Sequence, residues 1–167
     1  RCVSLSLPGF GKSERPSEDW GVVDYSDFVK SFMSKLNLAP DIIVAHSFGG
    51  RVAIKGIAQG KFSARRLVLI ASAGASRKTL AFRLRSVLVK VGKVLTSVPP
   101  LTLLREKLKY SASSSDYRNA GAMQGVFKKV VNENLENDAK SIQIPTLLIW
   151  GEKDQETPII EAHRLES

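Results

Sequence analysis

Four short, mostly apolar runs punctuate the chain, at residues 2–7, 41–45, 66–71 and 145–150. Each is too short for a buried helix and is flanked by Gly, Pro, Ser or Asp, which predicts strands. They are more apolar than strictly alternating, the pattern of parallel strands covered on both faces. Between them the period changes. Tyr25, Phe28, Val29, Phe32, Met33 and Leu36 recur at helical spacing over residues 24–38, with Asp24 and Asp27 favouring the N-terminal end. Residues 48–59 form a second helical run, closed by Gly60. Leu80, Leu84, Val87, Leu88, Val91 and Leu95 mark a third, which Pro99-Pro100 ends. Residues 111–115 read as a loop and 116–135 as further helix. Thr157 reads as an N-cap, with Pro158 at the first position of a last amphipathic run. Strands alternating with helices predict an α/β fold with a doubly wound, mostly parallel sheet, its site at the carboxyl ends of the strands.

The junction of the second strand and its helix carries the chemistry. Ala45-His46-Ser47-Phe48-Gly49-Gly50 follows the apolar run directly. A strand that stops at x-x-Ser-x-Gly and restarts as a helix is the pattern of a nucleophile elbow. A serine hydroxyl is a poor nucleophile until a base takes its proton and fixed donors receive the oxyanion. The tight turn lifts Ser47 out of the sheet and aims the N–H of Phe48 at the reacting carbonyl, with the helix N-terminus adding positive potential. Gly49 keeps the turn uncrowded, and Gly50 lets helix and strand approach closely. The full pattern begins with glycine, where this chain has Ala45. An ordinary strand-to-helix turn carrying a serine is the competing reading.

Two flanking segments bear on that choice. Upstream, residues 3–7 run into Pro8-Gly9-Phe10-Gly11-Lys12-Ser13. Downstream, residues 144–149 run into Trp150-Gly151-Glu152-Lys153-Asp154. Elements of this kind in this order resemble the α/β-hydrolase family, over residues 1–75 and 140–167, and within it the cap-bearing, esterase-like members. The resemblance implies that Ser47 is the nucleophile, Asp154 the triad acid and the Phe48 N–H part of the oxyanion hole. It further implies hydrolysis of a carboxylic ester or related acyl bond through an acyl-enzyme, with no cofactor. Where relatives begin the upstream loop with an aspartate, this chain has Ser6, to which no chemistry is attached. Asp154 also has a plainer reading as a cap for the helix that follows.

A triad needs a histidine, and the chain has two. His46 alternates with Ser47 across the strand, which predicts a packed or hydrogen-bonded residue beneath the elbow. His163 follows Asp154 by nine positions, which leaves no room for the strand that separates acid and base in the family. The family layout therefore places the base beyond Ser167, and the first strands with the second oxyanion donor before Arg1. The sequence is read as a fragment of a longer protein.

Composition narrows the remaining classes. The length of 167 residues and a 43% hydrophobic content suffice for a real core. No apolar stretch approaches the roughly 20 residues of a membrane span. One cysteine, Cys2, excludes an internal disulfide, reads as a small core residue and suits a reducing, cytoplasmic compartment. Metal-ligand spacing is absent. Of the net charge of +9, residues 76–140 carry 13 Lys and Arg against 5 Asp and Glu, so the excess belongs to the segment between the third and fourth strands. The expected organisation is a core at 1–75 with the elbow, a helical cap insertion at 76–140, and core continuation with the acid at 141–167.

Three readings of the basic insertion stand side by side. Its helix lays an apolar stripe on the core with lysines in water, or lies on an anionic membrane surface, or steers acidic ligands. No nucleic-acid-binding motif supports a nucleic acid partner. Phe82, Tyr110, Tyr117 and Phe127 are candidates for lining the pocket or for packing the cap. The expected partner is a small-molecule ester. The alternatives are a non-catalytic binding protein on the same scaffold, or a membrane-surface module acting through the basic segment.

Overall fold

The computed structural model describes residues 1–72, 74 and 121–166. Among them the order is α1 (Val22–Lys35), β1 (Ile42–His46), α2 (Phe48–Ala58), β2 (Arg66–Ile70), α3 (Gln124–Asn132), α4 (Glu136–Lys140), β3 (Thr146–Ile149) and α5 (Ile160–Glu166). The three strands form one parallel sheet in the order β1-β2-β3. In register, Ala45, Leu69 and Leu148 share one row, and His46, Ile70 and Ile149 share the next. A parallel β1-β2 pair joined through α2 is the crossover unit of α/β folds, which is right-handed in nearly all of them.

Alternation explains where the core sits. Leu67 and Leu69 are buried on the sheet face that meets Val52 and Ile54 of α2, and α1 packs on α2 through Val22, Tyr25 and Val29. Val126, Val130 and Leu135 close the same core from α3 and the corner before α4. On the other sheet face, Val44 of β1 and Leu147 of β3 are exposed.

Most expected elements appear with shifted ends. α1 begins two residues early because Asp24 accepts the Gly21 N–H at 2.8 Å, and it stops at Lys35 because Asn37 turns left-handed at φ 49°. Residues 2–7 do not form the expected strand. They have no ladder partner among the described residues, and Cys2 is exposed rather than in the core. The expected helix at 116–135 is broken within its described part: α3 ends at Asn132, and Glu133 is extended, which drops Leu135 into the core. The last helix starts at Ile160 rather than Pro158.

Residues 1–76 and 122–167 group into one compact unit, and 77–121 into another. The stretch 122–140, read from sequence as part of the insertion, thus packs with the core unit. There it is charge-balanced, with Lys128, Lys129 and Lys140 against Glu133, Glu136 and Asp138. The apolar stripe at 80–95, its Arg and Lys residues, Pro99-Pro100, the loop at 111–115 and the aromatics Phe82, Tyr110 and Tyr117 lie outside the described residues.

Candidate active site

Ser47 occupies the turn between β1 and α2 with φ 48° and ψ −117°. Positive φ is costly for a residue with a Cβ, of order 1–3 kcal/mol, and persists only where the surroundings impose it. Here they do. The Ser47 N–H donates to the Ile70 carbonyl at 3.0 Å, continuing the ladder one residue past β1. The Gly50 N–H donates to the Ser47 carbonyl at 3.1 Å, closing the first helical turn. The Ser72 hydroxyl reaches the same carbonyl at 3.5 Å. The N–H groups of Phe48 and Gly49 belong to the first turn of α2, where amides have no acceptor within the helix.

Small residues make the turn possible. A Cβ added at Gly50 would fall inside the van der Waals envelope of Ser72 Oγ and only 2.5 Å from Ser72 Cβ, and Ser72 is fully buried. Helix propensity alone favours alanine over glycine by about 1 kcal/mol. The clash outweighs that gain, because overpacking a close contact costs about 1–3 kcal/mol. Gly50→Ala therefore lowers the unfolding free energy measured in urea, and adding Ser72→Gly restores part of it. A Gly50→Ala chain as stable as the parent would contradict this packing. Gly49 is looser: an added Cβ meets Ala45 Cβ at 4.0 Å, an ordinary contact. Ala45 therefore fits where the motif has glycine.

The Pro8–Ser13 loop is fastened beside the elbow. The Tyr25 hydroxyl, fully buried, donates to the Pro8 carbonyl at 2.9 Å, and burial pushes its pKa up to about 12. Ser13 Oγ donates to the Ser6 carbonyl at 2.8 Å. Gly9 and Gly11 take φ of 86° and 58°, which glycine adopts without strain. These bonds bring the Phe10 ring within 5.4 Å of Phe48 and put Phe48 edge-on to Tyr25 at 4.8 Å.

Beneath the elbow, α2 carries two buried cations. Arg51 donates to the carbonyls of Val130 (2.6 Å) and Glu133 at the C-terminal end of α3. Burial lowers its pKa, opposed by Glu133 and Glu161. Lys55 pairs with Asp138 at 2.7 Å and Glu133 at 2.9 Å. Burial alone would lower the Lys55 pKa, but those two hydrogen bonds and charges more than offset it. The carboxyl of buried Glu161 is raised by burial, opposed by the Gly74 N–H at 3.3 Å and by Arg51 and Arg164. None of this network was foreseen from the sequence. Its only signal is two cations four residues apart on an otherwise apolar helix.

Asp154 lies in the loop after β3. Its Oδ1 accepts the N–H of Glu156 and of Thr157, each at 2.9 Å, and its Oδ2 accepts the Thr157 hydroxyl at 2.8 Å. These donors, Thr157 foremost, hold the carboxyl below its ordinary range, and the nearby His46 charge adds to them. The Thr157 hydroxyl donates to Asp154, and α5 starts at Ile160, so Thr157 stands short of the N-cap position. His46 is exposed rather than packed, because strand alternation sets it on the open sheet face with Ile70 and Ile149. His163 is exposed on α5, with Nδ1 3.6 Å from Glu166. Among the described residues no group of three His, Cys, Asp or Glu side chains could hold a metal ion.

Known proteins share this framework. The chain is 26% identical over 191 residues to an uncharacterized protein of Mycobacterium tuberculosis, covering 96% of the chain and 56% of that protein. It is 25% identical to the AB hydrolase superfamily protein YisY of Bacillus subtilis, covering 99% of the chain and 68% of that protein. It thus spans little more than half the length of the first of these relatives. The structure superposes on a putative lipase from Acinetobacter baumannii with a TM-score of 0.63 at 21% identity, covering 96% of this chain and 60% of that one. An esterase from Exiguobacterium antarcticum gives 0.63 at 20% identity, with 95% and 66% covered. The model of the alpha/beta hydrolase family matches residues 1–166, and this chain belongs to that family.

Proposed function

We propose that the protein is a serine hydrolase that cleaves a carboxylic ester or related acyl bond through an acyl-enzyme. The observation that carries this reading is the backbone of Ser47. A non-glycine residue held at φ 48° between a parallel strand and a helix N-terminus is strain kept at the one serine that chemistry would use. Ser47 Oγ attacks the acyl carbon, and the alkoxide of the tetrahedral intermediate is received by the N–H of Phe48. A histidine, which the family layout puts one strand after the acid, takes the serine proton and returns it to the leaving alcohol. Asp154 orients that histidine and stabilises its cation. Water then repeats the sequence on the acyl-enzyme and frees the acid.

Membership of the family supports hydrolysis, and the lipase and esterase among the structural relatives are compatible with an ester substrate. The experiment is turnover of a p-nitrophenyl ester series, acetate to octanoate, by the longest natural form of the protein. Release above the buffer rate supports the reading. Release at the buffer rate across the series, with the protein folded, favours a non-catalytic binding protein on the same scaffold.

A further inference from the structure

The loop that bears Asp154 is built around one side chain that the catalytic reading does not use. Thr157 is only 8% exposed. Its N–H and its hydroxyl both point at Asp154, one to each carboxylate oxygen, at 2.9 and 2.8 Å. Its own carbonyl accepts the Trp150 indole N–H at 2.8 Å, and Trp150 directly follows β3. Pro158 comes next, and the residue before a proline is confined to extended backbone. So Thr157 is held from three sides: by the sheet through Trp150, by the backbone restriction of Pro158, and by the acid itself.

We infer that Thr157 is the positioning residue for the acid: it clamps both oxygens of Asp154 and fixes the direction in which the carboxylate offers its remaining lone pairs. This rests on the reading of Asp154 as the triad acid. A free Asp side chain rotates about two torsions, and a loop acid would present its oxygens in several directions. The clamp leaves one. Oδ2 keeps a lone pair once the hydroxyl is accepted, and it is the oxygen free of backbone donors. Oδ1, bonded to two amides, is committed to the loop. Oδ2 is therefore the oxygen that faces an incoming imidazole N–H. The clamp also favours the ionised acid, since every contact is a donor to a carboxylate. An acid in a triad has to stay ionised and aimed while the imidazole beside it becomes a cation.

The test follows the Asp154 carboxyl carbon by NMR during a pH titration of the longest natural form of the protein. Thr157→Val keeps the shape and deletes the hydroxyl, so the Asp154 midpoint moves to higher pH. Thr157→Ser restores the hydroxyl and returns the midpoint toward that of the parent. A general loss of packing would not be rescued in this way. In the parent, the amide protons of Glu156 and Thr157 move with the same midpoint as the Asp154 carboxyl. An unchanged midpoint in folded Thr157→Val, or parent amides that do not follow the Asp154 titration, overturns the inference; the second readout stands even where the valine variant fails to fold. Ester turnover separates this from the underlying reading. If Asp154→Asn leaves turnover in the longest natural form intact, the triad assignment fails while the clamp stands. If Asp154→Asn abolishes turnover and Thr157→Val leaves the titration unmoved, the clamp fails alone.

Discussion

Ser47→Ala lowers kcat for ester hydrolysis about 10⁶-fold in the longest natural form of the protein, the scale seen when a triad nucleophile is removed. The substitution deletes one oxygen and little else. Among the described residues the turn is held by the Ser47 N–H and carbonyl, through Ile70, Gly50 and Ser72, and not by Ser47 Oγ. Alanine keeps those backbone groups and the positive φ, so the unfolding free energy in urea stays within about 0.5 kcal/mol of the parent. KM changes little, because the hydroxyl contributes to the transition state and not to binding. A loss of activity that travelled with a loss of fold would point to a structural serine. Unchanged turnover in a folded variant would remove Ser47 from the mechanism.

Asp154→Asn is the second large effect, with kcat falling about 10⁴-fold, as when the acid of a triad is made an amide. The amide oxygen can still accept from the Glu156 and Thr157 amides that now bond Oδ1. Its NH₂ cannot accept from the Thr157 hydroxyl and can only donate to Thr157 Oγ1, so that contact reverses direction and the loop stays in place. What is lost is the acceptor for the imidazole N–H. An amide NH₂ facing that nitrogen selects the wrong tautomer and leaves an imidazolium without a counter-charge. The pH behaviour follows from the sign of the shift. The carboxyl of Asp154 is held below its ordinary range by its donors. The parent therefore keeps an ionised acid down through the range in which a solvated aspartate takes up a proton, and loses it only as the pH falls through the lowered value. An acid limb in kcat/KM at higher pH in Thr157→Val than in the parent would have the same origin.

Much of this site is legible in the chain because it depends on local rules. A strand, a serine in x-x-Ser-x-Gly and a helix signal predict an elbow, and the register of β1 on β2 sets it at the carboxyl end of a parallel pair. Gly50 is readable as a close approach, though only the fold reveals Ser72 as the neighbour that demands it. Readings that depended on distant partners fared differently. Residues 2–7 carry a strand pattern, yet a strand exists only where a neighbour completes its ladder, and none does among the described residues. Cys2 is exposed for the same reason. Thr157 satisfies every local criterion for an N-cap. Its hydroxyl donates to a charged carboxylate three residues back, and the helix begins only at Ile160, so Thr157 is not its N-cap. His46 obeys strand alternation, but which face of the sheet is covered is decided by where α1 and α2 pack, on the side of Leu67 and Leu69. The buried pairing of Arg51 and Lys55 with α3, α4 and the corner between them joins residues about 80 positions apart, beyond the reach of any short-range pattern.

Treating the longest natural form with a fluorophosphonate and locating the adduct by peptide mass spectrometry identifies the nucleophile. Such reagents phosphonylate a serine only where a base and an oxyanion hole activate it. One adduct is expected, on Ser47, with full loss of ester turnover and no labelling of the Ser47→Ala variant. Stoichiometric labelling of another serine, or an unlabelled Ser47 in a form that hydrolyses esters, would contradict it.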